Sequence, residues 1–190
     1  MHFNKKNIPN CITSIRLLGA AALFFIKPFT MLFYVIYTVC GVTDVLDGMA
    51  ARKLNASSEF GSFLDSVSDL VFYFAMLLHV IPYLWKRVPV GIWYAVGVII
   101  VLRVISYTLA GIKYHRFASL HTYGNKITGF YMFALPYSIL LFHQTAVCVT
   151  GCTLAMLSTV EELGIHLKSS SYDPNAKTII YLIRKAKEKK

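Results

Sequence analysis

The chain has 190 residues, of which 56% are hydrophobic and only 15% are charged, and its formal net charge is +10. Soluble domains carry about 25% charged residues, so this composition excludes an ordinary soluble domain. A basic excess is typical of nucleic-acid binding or of an anionic membrane surface. The hydrophobicity favours the membrane, and we therefore expect a lipid bilayer and no nucleic acid as the partner.

Six apolar runs follow one another along the chain, each about as long as a helix needs to cross roughly 30 Å of hydrocarbon. They lie at 11–27, 28–50, 60–84, 89–112, 126–143 and 145–165. Short polar or proline-containing breaks separate them. The sequence therefore predicts an all-α integral membrane protein with six transmembrane helices, which form one domain over residues 1–166.

The distribution of Lys and Arg predicts the orientation of these helices. If the N-terminus is cytoplasmic, 15 Lys and Arg lie on the inner side and three, Lys27, Lys86 and Arg87, lie on the outer side. Cytoplasmic loops of membrane proteins carry an excess of Lys and Arg. The count therefore predicts that both termini face the cytoplasm and that the protein lies in the cytoplasmic membrane.

Residues 167–190 form a basic tail. Asp173 and Pro174 are typical of a helix start, and apolar residues then recur at helical spacing among Lys and Arg. This pattern is typical of an amphipathic helix that lies on an anionic inner leaflet. We expect short interfacial helices at the chain ends, and a solvated basic tail is the alternative.

Four of the nine acidic residues lie at the predicted cytoplasmic ends of spans two and three. Asp44 and Asp47 are three residues apart, and Asp65 and Asp69 are four apart, so each pair shares a helix face. Two antiparallel helices can therefore direct four carboxylates into one volume. An Asp inside a bilayer costs about 2.5–3.5 kcal/mol, so the cluster requires a counter-charge or a function.

This acidic cluster has three interpretations. Oxygen ligands favour Mg²⁺ or Mn²⁺, and two such ions suit phosphoryl transfer, with a carboxylate nearby to accept the proton of an attacking hydroxyl. The cluster also suits a proton or cation pathway in a small transporter, or acids that face cytoplasmic water. Gly48 and Gly61 beside the acids leave room for a ligand or allow tight helix packing.

The segment from Asp44 to Asp69 resembles the signature of the CDP-alcohol phosphatidyltransferase family. The positions that agree, with every spacing between them, are Asp44, Asp47, Gly48, Ala51, Arg52, Gly61, Asp65 and Asp69. The segment from Asn7 to Arg16 is similar to the start of phosphatidylglycerophosphate synthases. The resemblance therefore implies transfer of a phosphatidyl group from CDP-diacylglycerol to an acceptor hydroxyl in phospholipid biosynthesis, with release of CMP.

The resemblance also implies roles for these residues. The implied ligands of two divalent cations, Mg²⁺ or Mn²⁺, are Asp44, Asp47, Asp65 and Asp69. Asp69 is in addition the implied general base on the acceptor hydroxyl. The implied residues of the CDP-donor site are Gly48, Ala51, Arg52 and Gly61. Members of the family are typically homodimers whose active site opens to the cytoplasm.

The acceptor follows less directly from the sequence. Glycerol 3-phosphate is the first expectation, and serine and an inositol phosphate are the alternatives. A phosphate-bearing acceptor requires cations beside the site, and the candidates are Arg16, Arg116, His121 and Lys126. Basic residues also follow from the positive-inside rule without any substrate. The alternative from another class is a small cation-coupled membrane transporter, which requires no CDP donor.

Two further polar groups lie in the second half of the chain. Arg103 lies inside the fourth span, where it pairs with an acid of the pocket, lines the phosphate site, or extends its charge toward the interface as a structural arginine. Glu161, Glu162 and His166 lie near the end of the sixth span. We interpret these three residues as interfacial.

Overall fold

The computed structural model describes residues 8–53, 59–114, 122–169 and 178, and all regular structure within these ranges is α-helical. Six helices follow one another: α1 (Ile8–Leu23), α2 (Met31–Lys53), α3 (Glu59–Leu84), α4 (Val90–Tyr114), α5 (Tyr123–Leu141) and α6 (Gln144–Lys168). Each helix coincides with one predicted apolar run, so the all-helical class is confirmed. The interfacial helices predicted at the chain ends lie outside the described residues.

Four of these helices contain segments that are long and apolar enough to cross a membrane. The segments are Met31–Met49, Phe63–Leu84, Val90–Tyr114 and Gln144–Lys168. Helix α1 has 16 residues and is therefore about 24 Å long, which is less than the hydrocarbon thickness. Helix α5 has 19 residues but begins with a polar turn that contains Asn125 and Lys126. The structure thus indicates an integral membrane protein with four candidate spans.

The connection between α1 and α2 contains the predicted break at Lys27 and Pro28 but begins earlier than the sequence predicts. Helix α1 ends at Leu23, and Phe29 in the connection adopts a left-handed backbone conformation with a φ of 61°. His79 Nε2 on α3 lies 2.8 Å from the Leu23 carbonyl oxygen at this helix end. The Thr30 hydroxyl accepts a hydrogen bond from Phe33 N at 3.3 Å, which stabilises the first turn of α2.

The chain divides into two compact units, of which the first is Met1–Trp85. In this unit α1 packs against both α2 and α3. Buried aromatic rings join α2 to α3, since Tyr37 stacks on Phe72 with ring centroids 4.7 Å apart. A Cβ atom at Gly19 of α1 would lie 2.8 Å from Cys40 Sγ of α2, so these two helices require a glycine at their contact.

In the second unit, Lys86–Lys190, α6 packs against both α4 and α5. Arg103 Nη1 lies 3.1 Å from Glu162 Oε2, and Arg103 Nη2 donates to Asn125 Oδ1 at 2.9 Å. Arg103 therefore pairs with Glu162, which is not one of the signature acids. Glu162 and His166 are fully buried, whereas the sequence pattern predicts an interfacial position for them. Glu162 is buried because its hydrogen-bond partners lie on other helices.

Candidate active site

The four acidic residues of the signature come from two helices of the first unit. Asp44 and Asp47 lie in the second half of α2, and Asp65 and Asp69 lie in the first half of α3. Carboxylate oxygens of Asp44, Asp47 and Asp65 all lie within 4.8 Å of one another. The structure therefore brings the carboxylates of α2 and α3 into one volume, as the sequence spacing predicts.

A single guanidinium from α1 lies among these carboxylates. Arg16 donates hydrogen bonds from Nη1 to Asp44 Oδ1 and from Nη2 to Asp65 Oδ1. Its Nη1 lies 3.7 Å from Asp47 Oδ2, and its Nη2 lies 3.6 Å from Asp69 Oδ1. Arg16 thus forms an ion pair with each of the four acids, and α1 links the two helices that carry them.

Two hydroxyl groups fix the buried side of the cluster. Thr13 Oγ1 donates a hydrogen bond to Asp47 Oδ2 at 2.8 Å, and Arg16 Nε donates to Ser68 Oγ at 3.1 Å. Thr13, Asp47, Arg16 and Ser68 are all buried. A buried carboxylate requires such partners, because burial without hydrogen bonds is costly. Asp47 is therefore the buried acid of the cluster, and the hydroxyl group of Thr13 fixes its position.

The other three acids are accessible. The side chains of Asp44, Asp65 and Asp69 are 49%, 48% and 48% exposed, whereas that of Asp47 is 6% exposed. Their remaining oxygens can therefore contact a ligand. The site consists of one buried carboxylate and three half-exposed carboxylates around a buried cation.

The donor set of this site fits a hard divalent cation. Asp44, Asp47 and Asp65 supply oxygen ligands only, which is the chemistry that Mg²⁺ and Mn²⁺ prefer. Asp69 is not part of this close trio in the described structure. The trio could therefore hold a cation, and Asp69 stands beside it with a half-exposed carboxylate.

The predicted donor-site residues surround the acids in the chain. A Cβ atom at Gly48 would meet no described atom within 4 Å, so packing among the described residues does not account for this glycine. Gly61 lies in the first turn of α3. Ala51 and Arg52 belong to the last turn of α2, and their side chains lie outside the described part of the structure.

The predicted acceptor residues have different locations. Arg16 lies among the acids of the first unit, whereas Lys126 is an exposed residue in the first turn of α5 in the second unit. Arg116 and His121 lie outside the described residues.

Thr13, Ser68 and the ion pairs of Arg16 with the acids are features of the site that the sequence pattern does not predict. Thr13 and Arg16 are three residues apart on α1 and therefore share a face. Ser68 precedes Asp69 on α3. A polar pair on one face of a mostly apolar helix is the signal that would have placed α1 at the site.

This fold and this site define a class of protein: a helical membrane protein with a pocket of carboxylates suited to divalent cations. The family model of CDP-alcohol phosphatidyltransferases matches residues 6–160, and the chain belongs to this family. This match includes the entire signature from Asp44 to Asp69 and all of α1 to α5.

The chain is also similar to curated bacterial proteins named CDP-diacylglycerol–glycerol-3-phosphate 3-phosphatidyltransferase. It is 37% identical to the one from Wigglesworthia glossinidia brevipalpis over 91 residues, which cover 44% of this chain and 50% of that protein. It is 36% identical to the one from Pseudomonas fluorescens over 100 residues, or 45% of this chain and 48% of that protein. The chain thus spans about half the length of these relatives. No solved structure matches the chain significantly.

Proposed function

We propose that this protein is a phosphatidyltransferase of phospholipid biosynthesis that uses CDP-diacylglycerol as donor and glycerol 3-phosphate as acceptor. The observation that carries the proposal is the convergence of three signature carboxylates to within 4.8 Å, beside a fourth that is half exposed. Family membership and the names of the curated relatives support this donor and this acceptor.

In this proposal Asp44, Asp47 and Asp65 hold two divalent cations, Mg²⁺ or Mn²⁺, and Asp69 completes the site. When bound, such cations stabilise negative charge on phosphate oxygens during phosphoryl transfer. The hydrogen bond from Thr13 fixes the orientation of Asp47. The half-exposed Asp44 and Asp65 can adjust to the ligand because the protein does not enclose them.

Asp69 is the proposed general base. It accepts the proton of the acceptor hydroxyl as that oxygen forms a bond to the phosphorus of the phosphatidyl group. The bond from this phosphorus to the CMP oxygen breaks, and CMP leaves with the electron pair. The position of Asp69 beside the trio, with a half-exposed side chain, supports this role because the carboxylate is accessible to a substrate.

The remaining site residues are proposed to bind the two substrates. The residues proposed for the CDP donor are Gly48, Ala51, Arg52 and Gly61. The residues proposed for the acceptor are Arg16, Arg116, His121 and Lys126. The open space at Gly48 supports a close approach of the donor to the backbone of α2.

We further propose that all six helices cross the cytoplasmic membrane, with both termini and the active site on the cytoplasmic side. The bilayer is then locally thinner at α1, which has 16 residues. The excess of Lys and Arg in the predicted inner loops supports this orientation. The family resemblance leads us to propose a homodimer. Residues 1–166 are the proposed catalytic domain, and residues 167–190 the proposed interfacial tail.

The test is CMP release from CDP-diacylglycerol by the purified full chain with Mg²⁺ or Mn²⁺. Glycerol 3-phosphate, serine and an inositol phosphate are compared as acceptors, and we expect the first to give the fastest release. Asp69→Asn is expected to abolish turnover while CDP-diacylglycerol still binds, because the amide cannot accept the proton. Glu161→Gln is the matched control, since this acid lies outside the signature on α6.

Two outcomes would contradict the proposal. Full turnover in Asp69→Asn would exclude the general-base role. No CMP release with any acceptor, together with ion-driven solute uptake into proteoliposomes, would support the cation-coupled transporter instead.

A further inference from the structure

Arg16 makes more contacts with the acidic cluster than a substrate-binding residue requires. Its side chain is 1% exposed, and its three guanidinium nitrogens donate to Ser68, Asp44 and Asp65. The guanidinium is therefore held by α2 and α3 at once, while its own backbone belongs to α1.

The four carboxylates of the acidic cluster repel one another and therefore require a cation among them. Four ionised carboxylates give a formal charge of −4, and like charges at such distances repel strongly in a protein environment. Arg16 reduces the sum to −3 and forms an ion pair with every member. Arg16 thus offsets part of the repulsion among the acids when they hold no other cation.

The same contacts place Arg16 in competition with divalent cations. Its two hydrogen-bonded acids, Asp44 and Asp65, are two of the three carboxylates that form the close trio. The Oδ1 atoms of Asp44 and Asp65 that accept these hydrogen bonds have fewer lone pairs left for a metal ion. In addition, the positive charge of Arg16 repels a second cation placed beside it.

We propose that Arg16 is a built-in counter-cation, which binds Asp44 and Asp65 in the cation-free protein and withdraws from them when divalent cations bind. This inference rests on the proposed function, because that function requires the cations. With two divalent cations and Arg16, the cluster has a formal charge of +1. Arg16 then favours an anionic phosphate ligand, which connects this role to its predicted role toward the acceptor.

The experiment measures cation affinity and thermal stability of the purified full chain in detergent, without any substrate. Binding of Mn²⁺ is followed by the electron paramagnetic resonance signal of the free ion, and Tm is measured in EDTA and in saturating Mn²⁺. Arg16→Gln is expected to bind Mn²⁺ about tenfold more tightly, because the competitor and its charge are removed. Its Tm is expected to fall in EDTA and to recover in Mn²⁺.

Two variants accompany this measurement. Arg16→Lys retains the charge but not the two-armed contact, and its Mn²⁺ affinity is expected between those of the wild type and Arg16→Gln. Arg103→Gln is the matched control, because it removes a similar Arg from its ion pair with Glu162 in the second unit. It is expected to lower Tm equally in EDTA and Mn²⁺ and to leave the Mn²⁺ affinity unchanged.

Mn²⁺ binding by Arg16→Gln that equals or falls below wild-type affinity would overturn the proposal, since Arg16 would then support the cation site. If Arg16→Gln does not fold in EDTA or in Mn²⁺, the Mn²⁺ affinity of Arg16→Lys is compared with that of the wild type instead. An affinity of Arg16→Lys no higher than that of the wild type overturns the proposal. The proposed function fails separately, through absence of CMP release in a wild-type protein that binds Mn²⁺ with the expected dependence on Arg16.

Discussion

A small residue in the signature can serve helix packing or ligand binding. Gly48 is the position at which the structure favours ligand binding most clearly. In a helix, Gly is less favourable than Ala by about 1 kcal/mol, so a glycine that packs against nothing lowers stability without structural benefit. A Cβ atom at position 48 would meet no described atom within 4 Å. Its place one residue after Asp47 therefore favours a role in admitting the donor.

Gly48→Ala is accordingly expected to leave Tm unchanged or higher, while it raises the KM for CDP-diacylglycerol about tenfold because the methyl group enters the space of the donor. The measurements are thermal unfolding and CMP release over a range of donor concentrations. Gly97→Ala on α4 is the matched control, since a Cβ atom there also meets nothing within 4 Å. A lower Tm with an unchanged KM for Gly48→Ala would show a packing role.

Among single residues, the sequence predicted the acids of the site better than their partners. Helical spacing alone places Asp44 with Asp47 and Asp65 with Asp69 on shared faces, and the structure has both pairs at one site. The ion pairs of Arg16 link residues 28 and 49 positions apart in the chain. Local periodicity carries no information about such contacts, so Arg16 was considered only for the acceptor.

At the scale of elements, the position of α1 against α2 determines where Arg16 lies. Gly19 is three residues after Arg16 on α1, and its missing side chain leaves the space that Cys40 Sγ occupies. The Cys40 thiol also contacts the Arg16 carbonyl oxygen, with the sulfur 3.8 Å away. A change at this contact is therefore expected to shift the backbone of α1 at Arg16.

Gly19→Ala is expected to lower stability and CMP release together, because the added methyl group displaces α1 from α2. Gly19→Ala combined with Cys40→Ala is expected to recover much of both losses, since the smaller side chain at position 40 makes room for the methyl group. Tm and CMP release are measured for both single variants and for the double variant. Losses that simply add in the double variant would contradict this close contact.

In the second unit, the ion pair of Arg103 with Glu162 links α4 to α6. Asn125 of α5 joins them by accepting from Arg103 and donating to Glu162. Removal of one partner leaves a charge uncompensated inside the protein, which costs about 3–5 kcal/mol for a buried ion pair.

Arg103→Gln and Glu162→Gln are each expected to destabilise the protein by about 3–5 kcal/mol. The double variant is expected to be more stable than the sum of the single losses predicts, because it leaves no unpaired charge. Unfolding in detergent is measured for the wild type and the three variants. Strict additivity would show that the two side chains contribute independently.

At the scale of the whole chain, hydropathy predicted the helices well and their ends less well. The residues after Leu23 remain apolar as far as Ile26, so composition predicts a helix that continues to residue 27. The helix ends earlier because the connection turns, with Phe29 in a left-handed conformation, and because His79 contacts the last carbonyl of α1. The conformation of Phe29 is a property of the backbone, and the contact of His79 joins residues that are distant in the chain. Hydropathy along the sequence predicts neither of them.

The orientation of the chain remains a prediction from charge alone, and single cysteines test it directly. In a variant whose four native cysteines are replaced by alanine, a cysteine is placed at Lys86, between α3 and α4, or at Lys190. A membrane-impermeant maleimide is then added to right-side-out vesicles. Because the 15 to 3 distribution of Lys and Arg predicts cytoplasmic termini, Lys86→Cys is expected to react at once and Lys190→Cys only after permeabilisation. The reverse order would place the acidic site on the outer side, away from a cytoplasmic pool of glycerol 3-phosphate, and would contradict the proposed acceptor as well as the orientation.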